Sequence, residues 1–309
     1  MCKIAKKGIH MEYKQFKEEF RREVQREVGA GAEIFFHKIK RNNQVRQEGM
    51  VVREKGDNIS SILPLFQLYG TYQESGSMRQ AVTAALKMLE EKSKILEGRL
   101  PKTWAEARGK LHAELVHYEW NKEALENIPY QRFLNFAVVY RMEVPMLEKC
   151  EAGMRVNHHL MEMWGITKEQ LHKTAMENLE NEAYQIQPIS KVLGELMGTV
   201  LEMPEDDTGE YVLSNARCHY GAAGMLRKDI LQEFSEKIGG NFYILPSSVH
   251  ELILVPEIFP ICTEYLREMV GEVNEGDVVR EEWLSEDVYY YDCEKHEVKI
   301  CDAKETVSD

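Results

Sequence analysis

Three stretches of this chain place extended-type runs on either side of a polar turn, and they restrict the possible folds more than any other feature. AEIFFHKIK and EGMVVREK flank RNNQ at residues 41–44, RFLNFAVVYRMEV and MRVNHHL flank the turn around Glu151-Ala152-Gly153, and VYYYD pairs with EVKICD at residues 288–302. Runs rich in β-branched and aromatic residues around a short polar turn are the grammar of hairpins. Antiparallel hairpins need no helical crossover, whereas parallel strands do. Hairpins outnumber anything like a βαβ repeat, so the expectation is an α+β fold of mixed helices and mostly antiparallel sheets. No internal repeat or low-complexity segment is visible.

The helical segments divide the chain. In MEYKQFKEEFRREVQREVG, Tyr13, Phe16, Phe20, Val24 and Val28 recur at spacings of three and four and end on Gly29, which predicts one amphipathic helix with a glycine stop. A short apolar run, ILPLFQLY, leads through Gly70 and Gly76 into the strongly helical MRQAVTAALKMLEEKSKILEG. Residues 1–100 thus read as an N-terminal helix-hairpin-helix lobe closing at Gly98 and Pro101, and residues 101–309 as a larger C-terminal α+β domain. Within the latter, a helical pattern from Trp104 to Leu115 runs into LVHYEW and is followed by the short helix KEALENI. RFLNFAVVYRMEV reads as one strand, buried on both faces from Phe136 to Tyr140. Thr167 is placed to cap the helix KEQLHKTAMENLENEA, with Glu169 and Gln170 in its first turn where the helix dipole favours them. Further on come a helix ISKVLGELMGTVL, the acidic loop MPEDDTGE, a strand YVLSNARC, a helix MLRKDILQEFSEKIG, and the strand NFYILP. HELILVP is a further strand or the same one continued past a bulge, and a helix is expected from about Glu257 to Val270.

Composition narrows the function classes. The 309 residues, 43% hydrophobic and 29% charged, can bury a sizeable core. A formal charge of −13 opposes contact with polyanions unless a local basic patch overcomes it, so nucleic acid is a disfavoured partner. The six cysteines, at positions 2, 150, 218, 262, 293 and 301, form no CxxC pair and suit a reducing cytoplasm. MCKIAKKGIHMEYKQF carries no apolar stretch of signal-peptide length, no run approaches the ~20 residues that span a bilayer, and Met11 has the position of an alternative start.

The stretch NFYILPSSVHELILVPE, residues 241–257, is the densest candidate for chemistry. A serine nucleophile needs a base within hydrogen-bond reach and an oxyanion site, and a nucleophile elbow places the serine in GxSxG. Ser247 and Ser248 follow a proline and have no flanking glycines. If residues 249–255 are extended, His250 and Glu251 point to opposite faces. The favoured reading is a turn or bulge in which both serines satisfy backbone groups and His250 hydrogen-bonds inside the sheet.

Other sites are weaker. Adjacent His158 and His159 on a strand would face apart, and Cys293, His296 and Cys301 on a short hairpin lack a fourth ligand, so no metal is expected. In HYGAAGMLRK, Gly221 and Gly224 before a helix could admit an anion, but the pattern is neither a Walker loop nor GxGxxG, and a tight turn for close helix packing explains it better. Glu205-Asp206-Asp207 and Glu281-Glu282 read as solvated acidic loops. No cofactor is expected.

A series of motifs runs through the chain: NIS (58–60), FAVVY (136–140), WGIT with AMENL (164–167 and 175–179), LSN then YGA (213–215 and 220–222), LPSSVHE (245–251), VN (273–274) and LSEDVYYY (284–291). Their order resembles a bacterial family of unknown function marked by an LPSS-(V/I)-HE signature, over nearly the whole chain. A remoter likeness, through WGIT-KEQL-HKTAMENL and the later strand-proline-serine step, is to the YtpQ-type proteins. Neither resemblance implies an activity. The family pattern implies an acidic residue before the FAVVY strand, where this chain has Asn135.

Two functional expectations follow. One is a cytoplasmic binding or regulatory protein, with a small molecule or another protein as partner, since no catalytic constellation is complete. The other is a hydrolase or transferase whose site is assembled from LSN, HYGAAG and LPSSVHE. The candidate ligand-binding or structural residues are Asn215, Gly221, Ser247, Ser248, His250 and Glu251. Convergence of Asn215, Ser248, His250 and Asn178 in one deep pocket would favour the enzyme.

Overall fold

A computed structural model describes residues 11–54, 61–99, 101–145, 151–197, 209–258, 261–276 and 278–301. The NIS motif, Glu205-Asp206-Asp207, Cys2 and Cys150 lie outside the described residues. The chain forms two compact units, one of Met1–Arg41, Val45–Leu100 and Val144–Ala152, the other of Asn42–Gln44, Pro101–Glu143 and Gly153–Asp309.

The first unit carries α1 (Tyr13–Val28), β1 (Ala32–Lys40), β2 (Arg46–Glu54), β3 (Ser61–Pro64), α2 (Leu65–Ser75) and α3 (Met78–Arg99). β1 and β2 pair antiparallel from Ala32↔Glu54 to Lys40↔Arg46, and β3 joins β2 at Val51↔Ile62. The α1 stripe of Phe16, Phe20 and Val24 is fully buried against Met50 and Val52 of the sheet, Leu65, Leu68 and Tyr72 of α2, and Ala81, Val82 and Ala85 of α3. Three- and four-residue spacing on the helix meets two-residue spacing on the strands, and each element buries the face its pattern marks. Gly29, at φ +79°, ends α1.

The second unit carries α4 (Trp104–Ala107), β4 (Leu111–His117), α5 (Tyr118–Leu125), β5 (Tyr130–Phe133), β6 (Phe136–Pro145) as far as Glu143, β7 (Glu151–Arg155) from Gly153, α6 (His158–Trp164), α7 (Lys168–Asn181), β8 (Tyr184–Pro188), α8 (Ile189–Met197), β9 (Tyr211–Asn215), α9 (Lys228–Ile238), β10 (Phe242–Leu245), β11 (Leu252–Pro256), α10 (Thr263–Gly276), β12 (Tyr289–Asp292) and β13 (Glu297–Ile300). Its strands make two sheets, one ordered β4-β6-β5 with β7 also paired to β6, the other β13-β12-β10-β11-β9-β8. Every strand pair whose register is resolved is antiparallel. The fold is α+β, as the hairpins imply. No helix among the described residues is long and apolar enough to cross a membrane.

Several elements differ from the sequence reading. The helical pattern from Trp104 stops after Ala107, and Leu111–His117 is the strand β4. Trp104, Ala107, Leu111 and Leu115 mimic a helical stripe, but six of the seven β4 residues are buried, and burial on both faces erases the two-residue alternation that would reveal a strand. RFLNFAVVYRMEV is not one strand: it holds part of a hairpin whose two-residue turn, Leu134-Asn135, puts Leu134 at φ +51° between the paired Phe133 and Phe136. The buried run Phe136–Tyr140 is as expected. His158 and His159 lie in the first turn of α6 rather than on a strand; Asn157 caps that helix by accepting the Leu160 amide at 2.9 Å. β8 precedes the helix at Ile189, and the helix placed at Glu257–Val270 runs instead from Thr263 to Gly276. HELILVP yields a separate strand, β11, folded back on β10 with Leu245 opposite Ile253. The Thr167–Gln170 capping box forms, with reciprocal bonds of 2.9 and 3.3 Å.

Candidate functional site

LPSSVHE is the connection between β10 and β11, and it meets the loop after β9 at Gly221. A Cβ on Gly221 would stand 2.4 Å from Ser214 Oγ, 2.5 Å from the His250 carbonyl oxygen and 2.7 Å from the Asn215 nitrogen, so only glycine fits. Ser214 Oγ donates to the His250 carbonyl at 2.8 Å, and the Ala222 amide donates to the Val249 carbonyl at 3.3 Å. Asn215, buried at the end of β9, turns the chain: its side-chain amide donates to the His219 carbonyl and its oxygen accepts the His219 amide, at 2.9 and 3.1 Å. Tyr220, at φ +54°, aims its backbone amide at His250 Nδ1, 3.1 Å away. That nitrogen accepts, so the imidazole proton sits on Nε2, which lies 3.6 Å from Glu282 Oε1.

Ser248 is held by backbone and Ser247 is not. Ser248 Oγ accepts the His250 amide at 3.0 Å, the Ser248 amide donates to the Glu251 carbonyl at 3.3 Å, and Ser247 Oγ has only a long 3.5 Å contact with Glu251 Oε1. Asn178 is elsewhere, donating to the carbonyls of Arg108 and Leu111 at 2.7 and 2.9 Å. Asn215, Gly221, Ser248 and His250 are therefore brought together, and Asn178 is not.

Below the knot lies a charged ladder. In the β4–β6 register His112 pairs with Arg141 and Glu114 with Val139, so His112, Glu114, Arg141 and Glu143 share one face. Glu114 is almost wholly buried and bonded by Arg155 and, at 3.4 Å, by Arg141. Burial works to raise its pKa, but the two guanidiniums hold it below the usual carboxylate range. Arg141 stacks 4.1 Å from the Tyr220 ring centre and donates to its hydroxyl at 2.5 Å, tying the ladder to the knot. Arg217 bridges Glu143 and Glu182 and donates to His112 Nδ1 at 3.0 Å. Burial first, then Arg217 and Arg141, push the His112 pKa down to about 4. His112 is consequently neutral at pH 7, and its 3.3 Å contact with Glu143 is a hydrogen bond from Nε2 rather than an ion pair.

Asn135 bonds Asp287 through its NH2 group at 2.7 Å and accepts the Tyr289 hydroxyl at 2.7 Å, with Ser285 Oγ 2.9 Å from the same hydroxyl. An amide supplies both a donor and an acceptor there. A carboxylate would face Asp287 as a like charge.

A separate cavity of about 400 Å³ opens on the other face of β6. Val138 of β6, Met176 of α7, and Met225 and Leu231 around the start of α9 are among its apolar lining, and Tyr291 of β12 closes one wall. His172, His296, Arg132, Lys228 and Glu297 supply most of its polar groups. Each histidine is joined to a buried tyrosine: Tyr140 hydroxyl to His172 Nδ1 at 2.9 Å and Tyr291 hydroxyl to His296 Nδ1 at 3.3 Å. None of Asn215, Gly221, Ser247, Ser248, His250 or Glu251 lines it. The cavity was not visible in the sequence, because its lining comes from five separated segments; of its polar residues only His296 drew attention, as one of three possible ligands with Cys293 and Cys301. Among the described residues no group of three or more His, Cys, Asp or Glu side chains is disposed to hold a metal ion.

Residues 13–293 match the model of a family of unknown function, DUF5688. No curated protein and no solved structure matches the chain.

Proposed function

The chain belongs to DUF5688, a family of unknown function, and from that premise we propose that it is a bacterial cytoplasmic binding protein whose small-molecule ligand occupies the cavity of the second unit. The observation that carries the reading is the cavity itself. About 400 Å³ lined by apolar side chains with a few polar groups at its edge falls in the size and composition range of ligand pockets. The polar cluster around Gly221 supports it from the other side, because Ser214, Asn215 and Ser248 there already hold backbone groups. The likeness to YtpQ-type proteins adds no activity to this reading, and a regulatory role would follow if occupancy alters a protein partner's access.

The test is a thermal-shift screen of the purified protein against nucleotides, sugars, metals and metabolites. A ligand at 100 times its Kd stabilises the folded state by about 2.7 kcal/mol, which is several degrees in Tm. The expected result is a saturable shift that Met176→Trp, which fills the cavity, removes. A shift that survives Met176→Trp overturns the assignment to this cavity, and no shift with any compound class overturns small-molecule binding.

A hydrolase or transferase centred on His250 is the second reading. It is favoured by one observation, the imidazole whose proton is directed at Glu282. It predicts an activity lost in His250→Ala and in Ser248→Ala; an activity unaffected by both removes it.

A further inference from the structure

We propose that the cavity takes an amphipathic oxyanion, with its charged head held at the mouth by His172, His296 and Lys228 and its apolar body laid over Val138, Met176 and Met225. This rests on the small-molecule reading above and adds the chemical class.

The argument begins with the two tyrosine–histidine pairs. Tyr140 is fully buried and Tyr291 is 1% exposed, and burial raises both phenol pKa values, so each hydroxyl keeps its proton and must donate it. The partner of each is a histidine Nδ1. An imidazole that accepts at Nδ1 carries its proton on Nε2, and both rings line the same cavity. The two pairs therefore present hydrogen-bond donors where an undirected imidazole would offer a donor or an acceptor.

Charge points the same way. Lys228 is exposed at the cavity edge and makes no ion pair among the described residues, whereas the one carboxylate in the lining is the exposed Glu297. Arg132 adds positive potential, although its guanidinium already lies 3.5 Å from the Tyr118 ring centre and donates to the Leu134 carbonyl. In a chain of formal charge −13 a cavity edged by cations and N–H donors is a local reversal of sign. An oxyanion satisfies those donors, while a cationic or purely acceptor-seeking head leaves them unpaired. Beneath the mouth, Met176 and Met225 give flexible, polarisable walls that accommodate chains of differing shape.

The experiment is calorimetric titration of the full chain with decanoate, decyl phosphate, 1-decanol and decyltrimethylammonium, below their micellar concentrations. The expected result is saturable binding of decanoate or decyl phosphate, at least tenfold tighter than 1-decanol, with the tighter of the two identifying the head as carboxylate or phosphate. Lys228→Gln, a change at an exposed residue, should weaken the anion at least threefold and leave 1-decanol unchanged. His172→Gln should weaken the anion further. Equal affinity for decanoate, 1-decanol and decyltrimethylammonium, unaffected by Lys228→Gln, overturns the anion while leaving an apolar ligand site in place. Absence of binding by all four probes overturns the amphipathic oxyanion, and the separate screen with Met176→Trp then decides whether the cavity binds any small molecule.

Discussion

The Gly221 knot and the cavity are both rich in polar residues, but they use them in opposite ways. At the knot, Ser214, Asn215, Ser248 and His250 Nδ1 each hold a backbone group, and a β-carbon has no room. At the cavity, two imidazoles are fixed from behind by buried tyrosines, and a lysine has no ion-pair partner among the described residues. Polar side chains engaged with backbone specify a loop, whereas polar side chains oriented by a second layer and left facing a void specify a ligand. A cluster of Ser, His and Glu in a sequence carries no information about which of these it is.

Four measurements break or sharpen this contrast. The largest effect is expected from Gly221→Ala, because the added methyl meets two backbone atoms and a buried hydroxyl within 2.7 Å. A loss of about 3 kcal/mol in urea unfolding is expected; a loss below about 1 kcal/mol would mean that the two loops separate easily and that the knot is not rigid. Next is Glu114→Gln, which leaves Arg141 and Arg155 without their carboxylate. About 2 kcal/mol at neutral pH is expected, below the range for fully buried pairs because both arginines keep some exposure. The folded pKa of Glu114 is depressed, so its stabilisation is present above the unfolded value of about 4.5 and is lost as pH falls through the folded value. The two proteins should therefore converge in stability in acid; a constant gap would remove the carboxylate as its cause.

His112 supplies a third test at milder pH. Its folded pKa is lowered from 6.5 to about 4, so the unfolded chain takes up the proton first, and stability should decline as pH falls from 6.5 towards 4. Imidazole NMR signals should show a His112 midpoint about 4; a midpoint near 6.5 would place its ring in solvent rather than between Arg217 and Glu143. The smallest effect is expected from Ser248→Ala, about 1 kcal/mol for one hydrogen bond to an amide, with ligand affinity of the cavity unchanged. Altered affinity in that variant would dissolve the distinction between the two regions.

Much of the architecture is legible in the sequence. The hairpin runs at residues 32–54 and 289–300, the α1 stripe with its glycine stop and the Thr167 cap each appear where local pattern places them. β4 escaped because its residues are buried on both faces, so that a chance stripe at Trp104, Ala107, Leu111 and Leu115 stood in for a helix. The turn at Leu134-Asn135 escaped because a leucine at positive φ is a conformation that sequence disfavours and that the pairing of Phe133 with Phe136 imposes. Asn157 before the two histidines was an available capping signal and marks α6 correctly.

The sequence by itself determined the α+β class, the amphipathic faces and the helix ends, because these follow from spacing and capping within a few residues of the chain. Only the tertiary structure decided which polar residues hold backbone and which face open space. His250 and His172 have the same side chain; one ring accepts a loop amide and the other is joined to a buried phenol at the wall of a cavity. That difference depends on neighbours 30 and 32 residues away in the chain, and local pattern holds no record of contacts at such separation.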